Sequence, residues 1–267
     1  DGASALPEEM VALDEAYHRV LARDVAALRT QPPDAMSAMD GYAVRARDAG
    51  TAPVTLRLIG EVAAGRPFDK EVGKGEAVRI FTGGVVPKGA DAVVVQEDTT
   101  RNGDSVTLNE AARPGRHIRA AGIDFRTGDV LLRAGTRLTE RDLALAAAMN
   151  HPELPVRRRP KVAFLATGDE LVMPGTEPAP GQIVHSNGYA LRALARGEGA
   201  DVIDLGVARD TMESTTAAIR RARDLGADIL ITTGGASVGD HDVVKRALEA
   251  EGVDIAFWRI ALRPGKP

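Results

Sequence analysis

The sequence predicts an α/β protein of more than one domain, in which a β-rich region precedes a doubly wound α/β domain. Three observations lead to this fold class. A length of 267 residues exceeds the roughly 150 residues of an average domain. Short apolar runs divided by glycine and proline fill residues 51–137. From about residue 159, strand-like and helix-like segments alternate, which is typical of right-handed βαβ units in a parallel sheet.

The N-terminal segment 7–27 carries apolar residues at helical spacing, among them Met10, Leu13 and Val20. A proline and two glutamates stand at its start, where a helix tolerates proline and its dipole favours acidic residues. We therefore predict one amphipathic helix. Residues 31–43 have no clear period and contain turn residues, so they are predicted to form a loop.

Turn and capping residues organise the β-rich region, where four strands are predicted at 54–58, 77–81, 92–95 and 106–108. Asn102 and Gly103 favour a two-residue type I′ hairpin, because both central positions of that turn need a positive φ. Thr139, followed by Asp142 three residues later, resembles a capping box and predicts a helix that reaches Met149.

The α/β region is predicted to contain strands at 162–166, 202–205, 228–232 and 253–258, with helices at 186–196, 211–224 and 240–251. Ligands of such sheets bind outside the carboxyl ends of the strands. The loops 167–170, 207–210 and 232–242 follow three of these strands. We therefore expect them to converge on one crevice.

The residues of these loops fit an anionic ligand together with a hard cation. Gly234 and Gly235 allow a close approach of backbone, and the start of a helix can hold phosphate. Carboxylates in the same crevice are ligands that Mg²⁺ prefers. Asp240 on its own is better explained as a helix cap than as a catalytic or metal-binding residue. Cations at 259–266 suit phosphate or another oxyanion, although a solvated basic end has the same composition.

The segment 235–239 also matches G-x-S-x-G between a predicted strand and a helix, which is the setting of a hydrolase nucleophile at Ser237. Such an enzyme needs an acid and a histidine later in the chain. His241 is the only histidine that follows, and it lies four residues away. A Ser-His-acid triad cannot be assembled from these residues, so the hydrolase remains a weak alternative.

Composition excludes several classes of function. The chain has no cysteine, which rules out disulfides, thiolate metal sites and cysteine nucleophiles. A net charge of −4 and 3% aromatic residues predict no nucleic-acid partner. No apolar run approaches the roughly 18 residues of a membrane span, and no basic or apolar leader begins the chain, although it starts at Asp1. We expect a cytoplasmic protein without a membrane contact.

Several loops, taken in order, resemble those of the MoeA family of molybdopterin molybdenumtransferases, which includes the E domain of gephyrin. The resemblance covers nearly the whole chain. Its most specific segments are Ser37-Ala-Met-Asp-Gly-Tyr-Ala43, Arg79-Ile-Phe-Thr-Gly-Gly84, Thr167-Gly-Asp-Glu-Leu171, Thr233-Gly-Gly-Ala-Ser-Val-Gly239 and Leu262-Arg-Pro-Gly-Lys-Pro267.

The resemblance implies an elongated homodimer with three parts in each chain. Residues 1–26 and 128–158 would form an elongated α+β dimerisation domain, and 27–127 an inserted β-rich domain. Residues 159–267 would form a three-layer, doubly wound α/β domain that binds molybdopterin. This last domain is expected to be incomplete at its C-terminus, because the family's chains continue past the position of Pro267.

The resemblance also implies a reaction, in which molybdenum from molybdate is inserted into adenylylated molybdopterin and AMP is released. A divalent cation such as Mg²⁺ would assist, and transient contact with the molybdopterin adenylyltransferase is expected. The matching catalytic positions are Asp40, Thr82, Asp124, Glu170, Asp210 and Asp242, of which Glu170, Asp210 and Asp242 would hold the metal. The matching substrate-binding positions are Arg119, Gly234, Gly235, Ser237, Arg259, Arg263 and Lys266.

Some family members carry lysine where this chain has Arg259 and Arg263, which keeps the charge and changes the hydrogen-bonding geometry. A non-catalytic binding or scaffold protein of the same family remains an alternative to the enzyme. The three acidic residues argue against a scaffold, because anchoring a partner does not need a crevice for metal and phosphate.

Overall fold

The computed structural model describes residues 4–234 and 243–256. The chain divides into two compact units, which we call the β-rich unit (Met10–Pro155) and the α/β unit (Asp1–Glu9 with Val156–Pro267). The strands that begin and end the β-rich unit extend past its limits and are β1 (Glu8–Ala12) and β12 (Glu153–Arg157).

The β-rich unit contains ten further strands and one α-helix. They are β2 (Val25–Ala26), β3 (Met36–Ser37), β4 (Gly41–Val44), β5 (Val54–Val62), β6 (Glu76–Ile80), β7 (Ala92–Val95), β8 (Thr99–Asn102), β9 (Ser105–Leu108), β10 (Ile118–Arg119), β11 (Val130–Leu132) and α1 (Glu140–Ala148).

The amphipathic helix predicted over 7–27 is wrong. The segment forms β1 and a 3-10 turn, and its backbone bonds to distant parts of the unit. The N–H of Leu13 donates to Pro152 O at 3.0 Å, and that of Leu21 donates to Thr136 O at 2.9 Å. Met10 is 50% exposed whereas Leu21 is buried, so the apolar residues do not share one face. Pairing between distant segments therefore overrides the apparent helical period.

A six-stranded sheet with the order β7-β4-β6-β5-β9-β8 is the main feature of the β-rich unit. All four strands predicted in this region are confirmed as β5, β6, β7 and β9. The loop predicted over 31–43 is wrong at its end, because β4 is an inner strand of this sheet. All four of its residues are buried, and burial on both faces removes the alternation that identifies a strand in a sequence.

The hairpin predicted at Asn102 and Gly103 is present, but its turn differs from the prediction. Asn102 pairs with Ser105, so Gly103 and Asp104 are the two central residues. Gly103 has a φ of +58° and Asp104 is not among the residues with positive φ. Glycine at the first central position is typical of a type II′ turn, so the type I′ assignment is wrong.

The capping box predicted at the start of α1 is confirmed. Both the backbone N–H and the hydroxyl of Thr139 donate to Asp142 Oδ2, at 2.8 and 2.7 Å. Met149 follows the helix as its C-cap and is fully buried.

The described α/β unit contains β13 (Lys161–Thr167), β14 (Leu171–Val172), β15 (Ile183–Val184), α2 (Asn187–Gly197), β16 (Asp201–Ala208), α3 (Met212–Asp224), β17 (Ile229–Thr233) and α4 (Val243–Ala250). The main sheet has the order β16-β13-β17 with both pairs parallel, as the alternating pattern predicts. Residues 253–256 are not in a strand, and the rest of the last predicted strand lies outside the described residues. Within the described ranges, no helix is long and apolar enough to cross a membrane.

Candidate functional site

A cleft of about 190 Å³ opens where β13 and β17 end. It belongs to the α/β unit, and the start of α2 forms part of its wall. Its lining residues are Thr167, Glu170, Leu171, Ile183, Val184, His185, Ser186, Asn187, Thr233 and Gly234. This is the edge of a parallel sheet at which ligands bind in doubly wound folds.

The ends of β13 and β17 approach each other closely because of a glycine. Gly234 has a φ of +90°, and a Cβ atom on it would lie 2.2 Å from the backbone oxygen of Thr167. The hydroxyl of Thr167 is buried and has no hydrogen-bond partner among residues 4–234 and 243–256. A buried hydroxyl without a partner is unfavourable, so a ligand with an acceptor oxygen would complete this site.

The N-terminus of α2 offers further donors to the same cleft. Ser186 is the N-cap residue, but its side chain makes no capping hydrogen bond. The first N–H groups of a helix have no partner within the helix, and the helix dipole makes this end favourable for anions. The arrangement therefore suits a phosphate or a similar oxyanion.

The loops after β13 and β16 are joined by hydrogen bonds. The N–H of Gly168 donates to Ala208 O at 3.3 Å, and the N–H of Asp210 donates to Asp169 Oδ1 at 3.4 Å. The carboxylate of Glu170 folds back over Gly168, where a Cβ atom would lie 2.6 Å from its Oε2. The structure thus brings Glu170, Asp210 and the Thr167 end of β13 to one side of the sheet.

The donor chemistry of Glu170 and Asp210 suits a hard cation, because both offer carboxylate oxygens. Within residues 4–234 and 243–256, no group of three His, Asp or Glu side chains is arranged to hold a metal ion. Asp242, the third predicted ligand, lies outside the described residues. The described carboxylates therefore supply part of the predicted ligand set.

Asp40 and Thr82 form a direct pair in the β-rich unit. Both the backbone N–H and the hydroxyl of Thr82 donate to Asp40 Oδ1, each at 2.7 Å. These two hydrogen bonds hold the pKa of Asp40 below its ordinary value, and the bond from the N–H has the larger effect. The charge of Arg79 lowers the pKa further. Asp40 Oδ2 receives no hydrogen bond from the described residues, so it is free to contact a ligand.

Arg119 and Asp124 form a second pair in the same unit. A single nitrogen, Nη2 of Arg119, lies 2.7 Å from both carboxylate oxygens of Asp124. Both side chains are nearly half exposed, so the pair can exchange its partners for a ligand at small cost. Strand β10, which ends at Arg119, pairs with β3 directly before the Asp40 loop.

The other predicted site residues lie outside the described residues. They are Gly235, Ser237, Asp242, Arg259, Arg263 and Lys266. The same holds for the segment that matches the hydrolase pattern and for His241. Their placement in a site therefore stays a prediction.

Sequence reasoning did not assign a site role to Thr167, His185, Ser186 or Asn187, all of which line the cleft. Thr167 begins the loop 167–170 that is expected at the crevice, but nothing in its residue type assigns it a role of its own. Ser186 and Asn187 could have been found as the first residues of a predicted helix in an α/β sheet, where such starts often bind anions. No sequence signal distinguishes His185 from an ordinary core histidine.

The chain matches two protein families, each over one part of its length. Residues 2–150 match the MoeA N-terminal region (domain I and II), and residues 163–267 match a probable molybdopterin binding domain. The first match alone covers more than half of the 267 residues.

Curated relatives and a solved structure agree with these matches. A molybdopterin molybdenumtransferase of Haemophilus influenzae is 41% identical over 260 residues, which cover 97% of this chain and 64% of the relative. A molybdopterin molybdenumtransferase of Bacillus subtilis is 40% identical over 265 residues, which cover 96% of this chain and 61% of that relative. The structure of a molybdopterin biosynthesis MoeA protein from Pyrococcus horikoshii superposes with a TM-score of 0.86 at 37% identity, covering 98% of this chain and 66% of the other. The chain therefore spans about 61–66% of the length of these proteins.

Proposed function

Because the chain belongs to the MoeA family, we propose that it acts in molybdenum cofactor biosynthesis as a molybdopterin molybdenumtransferase. Its substrates are adenylylated molybdopterin and molybdate. An oxygen of water or molybdate attacks the phosphoanhydride between the pterin phosphate and AMP. The P–O bond to AMP breaks, AMP leaves, and molybdenum is bound by the dithiolene sulfurs of the pterin. The curated relatives carry this activity in their names, which supports the proposal.

The observation that carries the proposal is the cleft beside β13 and α2. It combines the Thr167 hydroxyl, which is buried and has no partner in the described part of the chain, with the N-terminus of a helix that its N-cap side chain does not cap. Both features favour an anionic ligand with several acceptor oxygens, which describes the phosphates of the pterin substrate as well as molybdate. In this proposal, the backbone at Gly234, Gly235 and Ser237 lies against the same ligand.

The charged residues divide into two roles. Glu170, Asp210 and Asp242 hold a divalent cation such as Mg²⁺, which supplies positive charge against the phosphates when it is bound. Arg119, Arg259, Arg263 and Lys266 neutralise phosphate and molybdate oxygens.

The Asp40 carboxylate, held by Thr82, orients a donor group of the substrate through its free oxygen. Asp124 keeps Arg119 in place until the substrate arrives. These roles follow from the two pairs in the β-rich unit, in which each acidic residue already has a defined partner.

The finer organisation is part of the proposal. Residues 1–26 with 128–158 form the dimerisation domain, 27–127 the inserted domain, and 159–267 belong to a three-layer, doubly wound domain. The active form is a cytoplasmic homodimer that receives its substrate from the molybdopterin adenylyltransferase. It has no nucleic-acid or membrane partner.

The proposal is tested by incubating the purified chain with adenylylated molybdopterin and Mg²⁺, with and without molybdate, and by measuring AMP. Molybdate-dependent release of AMP is the expected result. Binding of the pterin without any release would favour the non-catalytic alternative. Release at the same rate without molybdate would contradict the transfer of molybdenum.

A further inference from the structure

Arg79, on β6, lies between two aromatic rings close to the Asp40 loop. Its Cζ atom is 5.1 Å from the ring centre of Tyr42, the residue opposite it on β4, and 4.8 Å from that of Phe81. A guanidinium group over aromatic faces is stabilised by their negative charge distribution. The side chain is thereby held in one place although it is only partly buried.

The guanidinium group also bonds to one peptide oxygen and one side chain near Asp40. Its Nη1 donates to Gly41 O at 3.1 Å, and its Nη2 donates to Gln96 Oε1 at 2.5 Å. The backbone N–H of Gln96 in turn donates to Asp40 O at 3.0 Å. Arg79 therefore holds the carbonyl group of residue 41 directly, and it is linked to that of residue 40 through Gln96.

The side-chain carboxylate of Asp40 is held by Thr82, which donates two hydrogen bonds to Oδ1. Oδ2 has no partner among the described residues. The orientation of Oδ2 then depends on the backbone at Asp40, because the carboxylate is attached to that backbone through Cα and Cβ and moves when the backbone moves. The backbone at Gly41 runs close to β7, since a Cβ atom there would lie 2.1 Å from Val94 O and only glycine fits. The backbone has little room, and Arg79 supplies its only side-chain hydrogen bond in the described residues.

We propose that Arg79 is a positioning residue, which fixes the backbone at Asp40 and Gly41 so that the Asp40 carboxylate keeps its Thr82 contacts and presents its second oxygen. Its role in turnover rests on the proposed function, whereas its role in the Asp40–Thr82 contact does not. Arginine suits the task because a planar fork can reach Gly41 O and Gln96 Oε1 at once, which a lysine cannot.

The test compares Arg79→Met and Arg79→Lys with Arg57→Met in the 267-residue chain. Arg57 lies on β5 in the same sheet, has a side chain that is 70% exposed, and pairs with Glu76 away from Asp40. The first readout is the rate of hydrogen exchange at the Thr82 amide, which is measured by NMR as a function of pH. This proton is informative because it bonds to Asp40 Oδ1. The second readout is molybdate-dependent AMP release.

In Arg79→Met we expect hydrogen exchange at the Thr82 amide to rise at least about tenfold and kcat to fall by about tenfold with a smaller change of KM. Arg79→Lys should recover part of both effects, and Arg57→Met should change neither. A folded Arg79→Met chain with the Thr82 exchange rate and the kcat of the parent chain would overturn the proposal. If Arg79→Met does not fold, Arg79→Lys alone decides by the same two readouts.

The two proposals fail in different ways. If no chain releases AMP, the proposed function fails, and the Thr82 amide still reports whether Arg79 holds the Asp40 contact. If AMP is released by the parent chain and all variants alike, the function stands and the positioning role is wrong.

Discussion

The two candidate site regions differ in how their polar groups are satisfied. In the β-rich unit, Asp40 is bonded to Thr82 and Arg119 to Asp124 without any ligand. In the α/β unit, the Thr167 hydroxyl is buried without a partner among the described residues, and the side chain of Ser186 does not cap the N-terminus of α2. The first region is preformed, and the second requires a ligand to complete it.

This difference teaches what each region contributes. Side chains that hold each other keep a fixed geometry and lose little entropy when a substrate arrives. Groups left without partners lower the stability of the free chain and recover that free energy only on binding. Substitutions should therefore affect geometry in the β-rich unit, and the balance between stability and binding in the α/β unit.

The largest effect is expected from Gly234→Ala, which would close the cleft. The new Cβ would lie 2.2 Å from Thr167 O, and the alanine residue would have to adopt a φ of +90°. We expect AMP release to fall at least ~100-fold, since a displacement of about 1 Å at a site can cost that much. Gly175→Ala is the matched control, because Gly175 has a φ of +92° with open space around it. Equal losses in the two variants would show that backbone strain, and not the cleft, is responsible.

Asp40→Asn should have the next largest effect, because it removes the charge and leaves the shape. We expect AMP release to fall roughly 30-fold, which corresponds to about 2 kcal/mol for the loss of a charged hydrogen bond. The folded chain should keep its melting temperature to within a few degrees. Asp34→Asn is the control, since Asp34 is exposed on the same segment. Full activity of Asp40→Asn would remove Asp40 from the site.

Thr167→Val should change stability and binding in opposite directions. The variant keeps the shape of the side chain and removes a buried hydroxyl without a partner, so the free energy of unfolding should rise by ~1 kcal/mol. Affinity for the pterin substrate should fall by about tenfold, measured by titration calorimetry.

Thr215→Val is the control for this pair of effects. The hydroxyl of Thr215 is also buried without a partner among the residues that the structure describes, but it lies in α3 and does not line the cleft. It should share the gain in stability and leave affinity unchanged. A loss of affinity in both variants, or in neither, would contradict the role of Thr167.

The smallest effect is expected at Asp228 in the α/β unit, a residue whose carboxylate already has its hydrogen-bond partners. Two hydrogen bonds from Arg158, followed by one from the N–H of Lys161, lower the pKa of Asp228 from 3.8 to about 2. A lowered pKa stabilises the fold above pH 3.8, and the stabilisation is lost as the pH falls from about 4 to 2. At pH 7, Asp228→Asn should cost about 1 kcal/mol of unfolding free energy, since the pair is partly exposed.

Urea unfolding at pH 7 and at pH 2 measures this contribution. The difference between Asp228→Asn and the parent chain should shrink at the lower pH, while Asp224→Asn, at a carboxylate that is 74% exposed, should differ little at either. A difference for Asp228→Asn that does not depend on pH would show that its effect is not electrostatic.

Much of the fold could be predicted where the signal is local. The alternation after residue 159 predicts the parallel sheet, and Thr139 with Asp142 predicts the start of α1. The errors at 7–27 and at β4 have one cause. In both places the backbone bonds to segments that are distant in the chain, so neither helical period nor strand alternation reports the structure.

The sequence by itself determined the family, the order of strands and helices in the α/β unit, and which loops carry acidic residues and glycines. Only the tertiary structure decided that Asp40 bonds to Thr82, that Arg79 bonds to the backbone oxygen of Gly41, and that the Thr167 hydroxyl has no partner within the described ranges. The physical reason is the range of the interactions. Caps, turns and apolar periods act within a few residues, whereas these contacts depend on strand register and on the packing of segments about 40 or more residues apart.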